Sequence, residues 1–251
     1  MFPKIKKHNY IHMKLTKGNP KTKDKKAKEK ALSITQVITG LIVVTIGILT
    51  FVGFWGAKNE EQPEELPFWG ECKYDTIHKS GKFSVDTIHH AIQNFSFINQ
   101  EGKIVTQNNF KGKIYVTDFF FTTCQSICPI MTTQMERVVK AYKNSPEVLF
   151  LSHTVYPEND SVSVLSEYAK KLNADASRWY FVTGNKKELY DMARKSYFLS
   201  SDSGDGGKDD FVHTQLFALV DKNSHIRGVY DGTNPNEVDQ LIADIGILLK
   251  K

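Results

Sequence analysis

A run of 24 uncharged, mostly apolar residues near the amino end is the strongest constraint on this chain. Residues 34–57, ITQVITGLIVVTIGILTFVGFWGA, contain no Asp, Glu, Lys or Arg. A helix of this length, at ~1.5 Å per residue, covers the ~30 Å hydrocarbon core of a bilayer. The alternative, a cleaved signal peptide, has a shorter apolar core of ~7–15 residues and a small-residue cleavage site. The sequence therefore predicts one uncleaved transmembrane helix.

The charges on the two sides of this segment predict its orientation. Residues 1–33 hold eleven Lys and two acidic residues, whereas residues 58–65 hold four Glu and one Lys. Cytoplasmic flanks carry the Lys and Arg excess, so we expect the amino terminus inside and residues 58–251 outside. The tail lacks Arg and an apolar stripe, unlike an organelle presequence. This favours a bacterial cytoplasmic (inner) membrane, crossed once, with an extracytoplasmic or periplasmic carboxyl-terminal domain.

The positive charge of the chain belongs to the tail and not to the predicted domain. The whole chain has a net charge of +5, and the first 33 residues alone contribute +9, so the remainder is acidic. A nucleic-acid-binding domain needs a basic face on the fold itself. The charge distribution therefore predicts no nucleic-acid partner.

The outer part divides into a predicted tether, residues 58–92, and a predicted globular domain, residues 93–251. The tether is interrupted by Pro and Gly and has no sustained apolar period. The domain alternates buried-strand and helix patterns, which predicts an α/β fold. The order β-α-β-α followed by β-α-β-β-α is that of a thioredoxin-like domain, a central mixed sheet flanked by helices. Predicted strands are 113–121, 148–155, 179–182, 214–220 and 225–230; predicted helices are 129–142, 162–172, 186–197 and 235–249.

Two cysteines lie between the first buried strand of this domain and the helix that follows. Cys124 and Cys128 belong to FFFTTCQSICP, residues 119–129. Amide groups and the helix dipole favour thiolates at such a turn, and three intervening residues allow two sulfurs to share a metal ion or form a disulfide. A soft thiolate pair favours Cu(I) or Zn²⁺. The alternative is two inert, buried cysteines, although these are two of only three Cys in the chain.

Several segments resemble the Sco/SenC family of copper-binding proteins, which are thioredoxin-like. The most specific are DFFFTTCQSICPIMTTQM, residues 118–135, and DFVHTQLFALVDKNSHIRGVYDGT, residues 210–233. Supporting matches are SHTVYPENDS (152–161), WYFVTG (179–184) and ELYDMARKSYF (188–198). The resemblance spans about residues 93–251 in unbroken order.

The resemblance implies a copper site formed by Cys124, Cys128 and His213, with one copper ion, Cu(I) or Cu(II), per domain. Taken alone, His213 is more often a hydrogen-bonding group than a ligand. Two thiolates and a neutral imidazole suit Cu(I) and leave room for a fourth ligand to Cu(II). Many relatives have Asp where this chain has Tyr156, so the contribution of that Asp is in question here, with Glu158 and Asp160 nearby in sequence.

Three functions follow from these features. The first, implied by the resemblance, is a membrane-anchored metallochaperone that delivers copper to the binuclear copper centre of cytochrome c oxidase. Its partners would be the copper-centre subunit and other copper chaperones or thiol–disulfide proteins. The second is a thiol–disulfide oxidoreductase that uses Cys124 and Cys128 to keep the partner's cysteines reduced. The third, a thiol peroxidase, is disfavoured because Phe121 stands where such enzymes have Thr. We expect no function for Cys72.

Overall fold

The structure, a computed structural model, describes residues 36–51, 65–79, 82–202, 204, 207 and 210–250. The chain divides into two units, residues 1–62 and 63–251. In the first unit, residues 36–51 form helix α1; the rest of the predicted span, 34–35 and 52–57, and the Lys-rich tail lie outside the described residues. Within the described ranges, no helix has both the length and the apolar character needed to cross a membrane.

The second unit begins earlier than the sequence pattern indicated. Two antiparallel strands, β1 (Cys72–Lys79) and β2 (Lys82–His89), lie within the segment that we predicted as an irregular tether. Leu66 is only 3% exposed and belongs to the main core. Arg227 donates hydrogen bonds to the carbonyls of Leu66 and Pro67. Residues 65–92 are therefore partly built into the domain and are not all linker.

A seven-stranded mixed sheet forms the centre of the second unit, in the order β4-β3-β7-β6-β5-β8-β9. Strand β5 pairs in parallel with β6, and β6 with β7, as the crossover connections predicted. The β8–β9 hairpin adds an antiparallel edge. A short hairpin, β3–β4, which the sequence pattern missed, forms the opposite edge. The strands are β3 (Ser96–Asn99), β4 (Ile104–Thr106), β5 (Ile114–Phe120), β6 (Val148–Thr154), β7 (Trp179–Thr183), β8 (Leu216–Val220) and β9 (Ile226–Asp231).

Helices cover both faces of this sheet and create two cores. One core lies under α2 (Ile127–Ala141), α3 (Val162–Lys171) and α5 (Pro235–Leu249), and the other under α4 (Lys186–Asp191) and the π-turn Met192–Ser196. Met131 and Met135 of α2 are 1% and 0% exposed, so both methionines belong to the core and not to the cysteine site. Helix α3 is capped by the Ser161 hydroxyl, and α5 by the Asn234 side chain followed by Pro235. This is a thioredoxin-like arrangement.

Helix α2 begins two residues before its predicted start. We expected Pro129 at the first helical position, but α2 starts at Ile127, so Cys128 belongs to the first turn. A proline is tolerated there because the N–H groups of a first turn have no intrahelical acceptor. Strands β5 and β6 both end at the sheet edge from which α2 departs. Since β8 runs antiparallel to β5, its amino end lies at that same edge.

Candidate metal and dithiol centre

Cys124 and Cys128 lie together where β5 passes into α2. The backbone N–H of Cys128 donates to Cys124 Sγ at 3.4 Å, and the Ser126 hydroxyl lies 3.7 Å from the same sulfur. The N–H of Cys124 donates to the carbonyl of Phe121 at 3.2 Å and closes the turn. Both cysteines are free; Cys124 is half-buried and Cys128 is 5% exposed. The structure thus brings these two predicted ligands into contact with each other.

The two thiols have opposite pKa shifts. Burial alone would raise the pKa of Cys124, but hydrogen bonds from Cys128 and from the amides of Ser126 and Cys128 outweigh it and lower the pKa to about 7. Burial, and the hydrogen bond to Cys124, raise the pKa of Cys128 to about 12. Cys124 is therefore the more acidic and the more exposed of the two thiols, while Cys128 keeps its proton.

Asp160 holds the loop that leads to the cysteines. Its fully buried carboxylate accepts from the Thr122 N–H at 3.2 Å, the Thr122 hydroxyl at 2.5 Å, the Thr154 hydroxyl at 2.5 Å and the Asn159 side chain at 2.9 Å. These bonds join the end of β6 to the residues just before Cys124. Of the two acids that the sequence placed near Tyr156, Glu158 points to Lys186, at 3.8 Å, and only Asp160 reaches the cysteine loop.

Asp118 is a buried acid beneath the pair that sequence reasoning did not identify. It is 4% exposed, and among the described residues its Oδ1 has no hydrogen-bond partner. Burial raises the pKa of Asp118 to about 7, although a hydrogen bond from Ser152 partly lowers it. The Ser152 hydroxyl oxygen also accepts from Trp179 Nε1 at 3.0 Å. The charge of Asp118 contributes to the raised pKa of Cys128. The sequence feature that could have revealed this buried acid is the single Asp within the otherwise uncharged strand IYVTDFF.

His213 lies on the segment that leads into β8. Its side chain is exposed, and its ring packs against Phe211 with centroids 4.7 Å apart. The Phe211 ring meets Phe121 edge-on at 5.3 Å. His213 also lines a cavity of about 510 Å³ that Ile127, the residue before Cys128, lines as well. Carrying the β5–β8 register beyond its last pair, Thr117 with Ala218, would bring His213 opposite Thr122.

The predicted three-ligand set is thus only partly assembled. The two sulfurs are together, and His213 lies at the same sheet edge on the wall of an adjoining cavity. In the part of the chain that the structure describes, no three His, Cys, Asp or Glu side chains form a group that could hold a metal ion. The donor types fit a soft cation such as Cu(I), and the third donor needs the segment 211–215 to approach the sulfurs.

His153 lies away from the cysteines, a placement that strand alternation alone could not predict. It is fully buried on the face of β6 opposite α2, stacked on Phe119 with ring centroids 4.7 Å apart. Its Nδ1 lies 3.1 Å from the Thr117 hydroxyl. Cys72 is exposed on β1, with its sulfur 3.4 Å from His89 Nδ1. Neither residue belongs to the Cys124–Cys128 site.

The mixed sheet and the cysteine pair at the start of α2 define a thioredoxin-like dithiol protein. The sequence profile of the SCO1/SenC family matches residues 86–250. The chain therefore belongs to the SCO1/SenC family, as the sequence motifs indicated.

Individual relatives agree with this assignment. The SCO1 protein homolog of Bacillus subtilis (strain 168) is 32% identical over 162 residues, which are 64% of this chain and 83% of the relative. The solved structure of BsSco, described as a member of the Sco family of cytochrome c oxidase assembly proteins with a disulfide switch, is 31% identical. Its TM-score is 0.54, over 63% of this chain and 93% of that one. Arabidopsis thaliana ScoI with copper bound is 25% identical with a TM-score of 0.50, over 64% and 98%.

The opposite pKa shifts predict selective alkylation of Cys124. In a Cys72→Ser background without metal, iodoacetamide should modify Cys124 at a rate that rises with pH and levels off above about 7, because only the thiolate reacts. Cys128 should stay unmodified over that range, since its pKa is about 12. Peptide mass spectrometry at a series of pH values measures both rates. Equal rates for the two thiols would contradict the assigned order.

The raised pKa of Asp118 predicts that Asp118→Asn stabilises the protein at neutral pH. The folded state binds this proton more tightly than the unfolded state. The free energy of unfolding of the wild-type protein therefore falls as pH rises from about 4 to about 7. The advantage of the Asn variant should therefore grow by up to about 1.4 kcal/mol per pH unit over that window and then stay constant. Urea unfolding at pH 4, 5.5 and 7.5 measures it.

Comparison with the wild-type protein removes the effect of His153. Burial lowers the pKa of His153 to about 3. Its contribution to the free energy of unfolding therefore falls as pH falls, which is opposite in sign to the contribution of Asp118. That contribution is common to both proteins and cancels in their difference. A difference between Asp118→Asn and wild type that did not change with pH would show that Asp118 ionises normally.

Proposed function

We propose that this protein is a membrane-anchored copper metallochaperone that binds one copper ion through Cys124, Cys128 and His213. The observation that carries the proposal is the contact between a low-pKa thiol and a buried thiol at the sheet edge that also holds an exposed His213. Two thiolates and an imidazole are donors that soft Cu(I) prefers. The copper in the Arabidopsis thaliana ScoI structure supports the choice of metal.

The proposed recipient is the copper-centre subunit of cytochrome c oxidase. Support comes from BsSco, which is described as belonging to a family of oxidase assembly proteins. Delivery would proceed by ligand exchange: a partner thiolate binds the ion as one of the chaperone's thiolates leaves. Cys124 is the accessible sulfur, so exchange would begin there, while Cys128, which is 5% exposed, would be released last.

A second candidate function, thiol–disulfide exchange, is favoured by the pKa of about 7 for Cys124. Its thiolate would attack a partner disulfide and form a mixed disulfide, releasing one partner thiolate. Cys128, on losing its proton, would then attack the Cys124 sulfur and release the second partner thiol. Two electrons pass to the partner, and this protein is left with a Cys124–Cys128 disulfide. The disulfide switch named for BsSco supports this chemistry.

The proposed location is the bacterial cytoplasmic membrane, with the second unit outside. Support comes from the uncharged run 34–57 and from the asymmetric charges around it. Within α1, apolar side chains such as Val43 and Leu49 are 64% and 71% exposed, which suits contact with lipid. A helix that is apolar all round needs an apolar environment.

Copper retention should depend on all three proposed ligands. Cys124→Ser, Cys128→Ser and His213→Ala should each weaken copper binding by more than about tenfold, or about 1.4 kcal/mol, because each removes a donor. Competition against a Cu(I) chelator measures this. Cys72→Ser is the matched control and should bind one copper normally. Loss of binding in Cys72→Ser alone would contradict the assigned site.

His213→Ala also separates the two candidate functions. Disulfide exchange needs no imidazole ligand, so this variant should reduce a partner disulfide at a near-normal rate while losing copper. The reverse result, normal copper binding with failed oxidase assembly in cells, would favour the redox function.

The location proposal predicts the activity of reporters fused after Lys251. A reporter that works only outside the cytoplasm should be active, because the Lys-rich flank keeps the amino terminus inside. A reporter that works only in the cytoplasm, fused at the same point, is the control and should be inactive. The opposite pattern would overturn the orientation.

A further inference from the structure

Arg194 forms an ion-pair cluster with Asp202 and Asp210 beside the segment that carries His213. Its side chain is 8% exposed and binds both oxygens of Asp210, from Nη1 at 2.7 Å and from Nη2 at 2.6 Å. It also binds Asp202, from Nε at 3.2 Å and from Nη2 at 2.8 Å. One guanidinium therefore binds two carboxylates, each through two hydrogen bonds, although the two acids lie eight residues apart in the chain. Only Arg has the planar set of N–H donors that this arrangement needs.

The guanidinium is itself held in place by the second core. Arg194 belongs to the π-turn Met192–Ser196, a rare insertion that often marks functional sites. Its guanidinium carbon lies 5.3 Å from the centre of the Tyr190 ring. The Tyr190 hydroxyl donates to the carbonyl of Val155 at 2.7 Å and lies 3.4 Å from the carbonyl of Asp210. The cluster is thus tied to the end of β6, the strand beside the cysteine-bearing β5.

Gly204 allows the chain to pass directly over this ion pair. A Cβ atom at Gly204 would collide with the Asp210 carboxylate and with Arg194 Nη2. Both atoms are ends of side chains, but the ion pair holds them where they are. A residue other than glycine would therefore force either the Arg194–Asp210 pair or the backbone at 204 to shift.

Only two residues separate this cluster from His213. Asp210 is 6% exposed in its side chain and fixed on Arg194. The next residue, Phe211, packs edge-on against Phe121, three residues before Cys124, and against Tyr156, and its ring lies 4.7 Å from that of His213. The segment that leads to His213 is thus fixed at two points: Asp210 is bound to Arg194, and Phe211 packs on Phe121 of the cysteine loop.

We propose that Arg194, by binding Asp202 and Asp210, is a positioning residue: it fixes the base of the segment that carries His213, so that only residues 211–215 have to move for the imidazole to reach Cys124 and Cys128. The inference rests on the proposed function, since it concerns the imidazole donor of the copper site. A third donor that must be ordered before it binds costs affinity, and a segment with a fixed base has fewer residues to order. Sequence position alone, 19 residues before His213, gives no hint of this role.

The test uses full-length protein and three variants. Arg194→Lys keeps the charge but cannot grip two carboxylates, and Gly204→Ala separates the pair while keeping every charge. Lys195→Gln is the control, because this neighbour is exposed and forms its ion pair with Asp191, outside the cluster. The two cluster variants should lose about tenfold in copper retention, as for supporting residues around metal ligands, and the control should lose none. His213→Ala serves as the reference for loss of the donor.

Two further readouts separate positioning from a general loss of stability. In copper-free protein, amide hydrogen exchange should accelerate about tenfold or more in residues 211–215 while β5 and β6 keep wild-type rates. In the Cu(II) form, the nitrogen coupling seen by electron paramagnetic resonance should weaken in both cluster variants. Unchanged exchange in 211–215, or equal acceleration throughout the domain, would overturn the proposal. Normal copper binding by His213→Ala would instead overturn the ligand assignment. Weakened copper binding by His213→Ala, together with normal copper binding by Arg194→Lys and Gly204→Ala, would refute only the role of Arg194.

Discussion

Strands β5 and β6 pair in parallel over seven residues each, and all fourteen residues are buried. Because both faces are covered, any polar group in this pair must find a partner inside the protein or accept the cost of burial. The carboxyl ends of parallel strands also meet at one edge, so the loops after them must share space. The cysteine loop follows β5, the Asp160 loop follows β6, and the hydrogen bonds from Thr122 to Asp160 join the two.

The same constraint explains why part of the fold was predictable. An apolar run such as IYVTDFF can satisfy its backbone only as a central strand, and the helix patterns between such runs imply parallel crossovers. The cysteine pair was visible because its residue types and spacing lie within one turn. The β3–β4 hairpin was missed because strands of four and three residues carry almost no periodic signal. The β1–β2 pair was missed because its strands form no part of the main sheet.

Other features of the site depend on tertiary contacts that no local pattern records. The raised pKa of Asp118 follows from burial under α2, and the alternation of β6 that turns His153 away from the cysteines becomes definite only once the register with β5 is known. The cluster of Arg194 with Asp202 and Asp210 joins three separate positions across a polar loop. In the sequence these are ordinary surface charges, and only the fold brings the two carboxylates together on the buried Arg194 side chain.

The unequal thiols suit two kinds of chemistry at one place. A thiol with pKa of about 7 is available to electrophiles and to soft cations alike, while its neighbour, with pKa of about 12, holds its proton until a metal or a mixed disulfide displaces it. The proposed copper transfer and the proposed disulfide exchange would therefore compete for the same two sulfurs. Occupation by copper would block oxidation of the pair, and a disulfide between the cysteines would exclude the metal.

Helix α5 makes this inequality depend on how far folding has advanced. Its side chains Val238, Leu241, Ile245 and Leu248 belong to the same core as Cys128. A chain in which α5 has not yet docked therefore has an open core behind the cysteine pair. In that interval the burial that protects Cys128 is incomplete. An oxidant that acts before α5 docks therefore meets an unprotected Cys128, whereas the folded protein presents one protected and one reactive cysteine at its site.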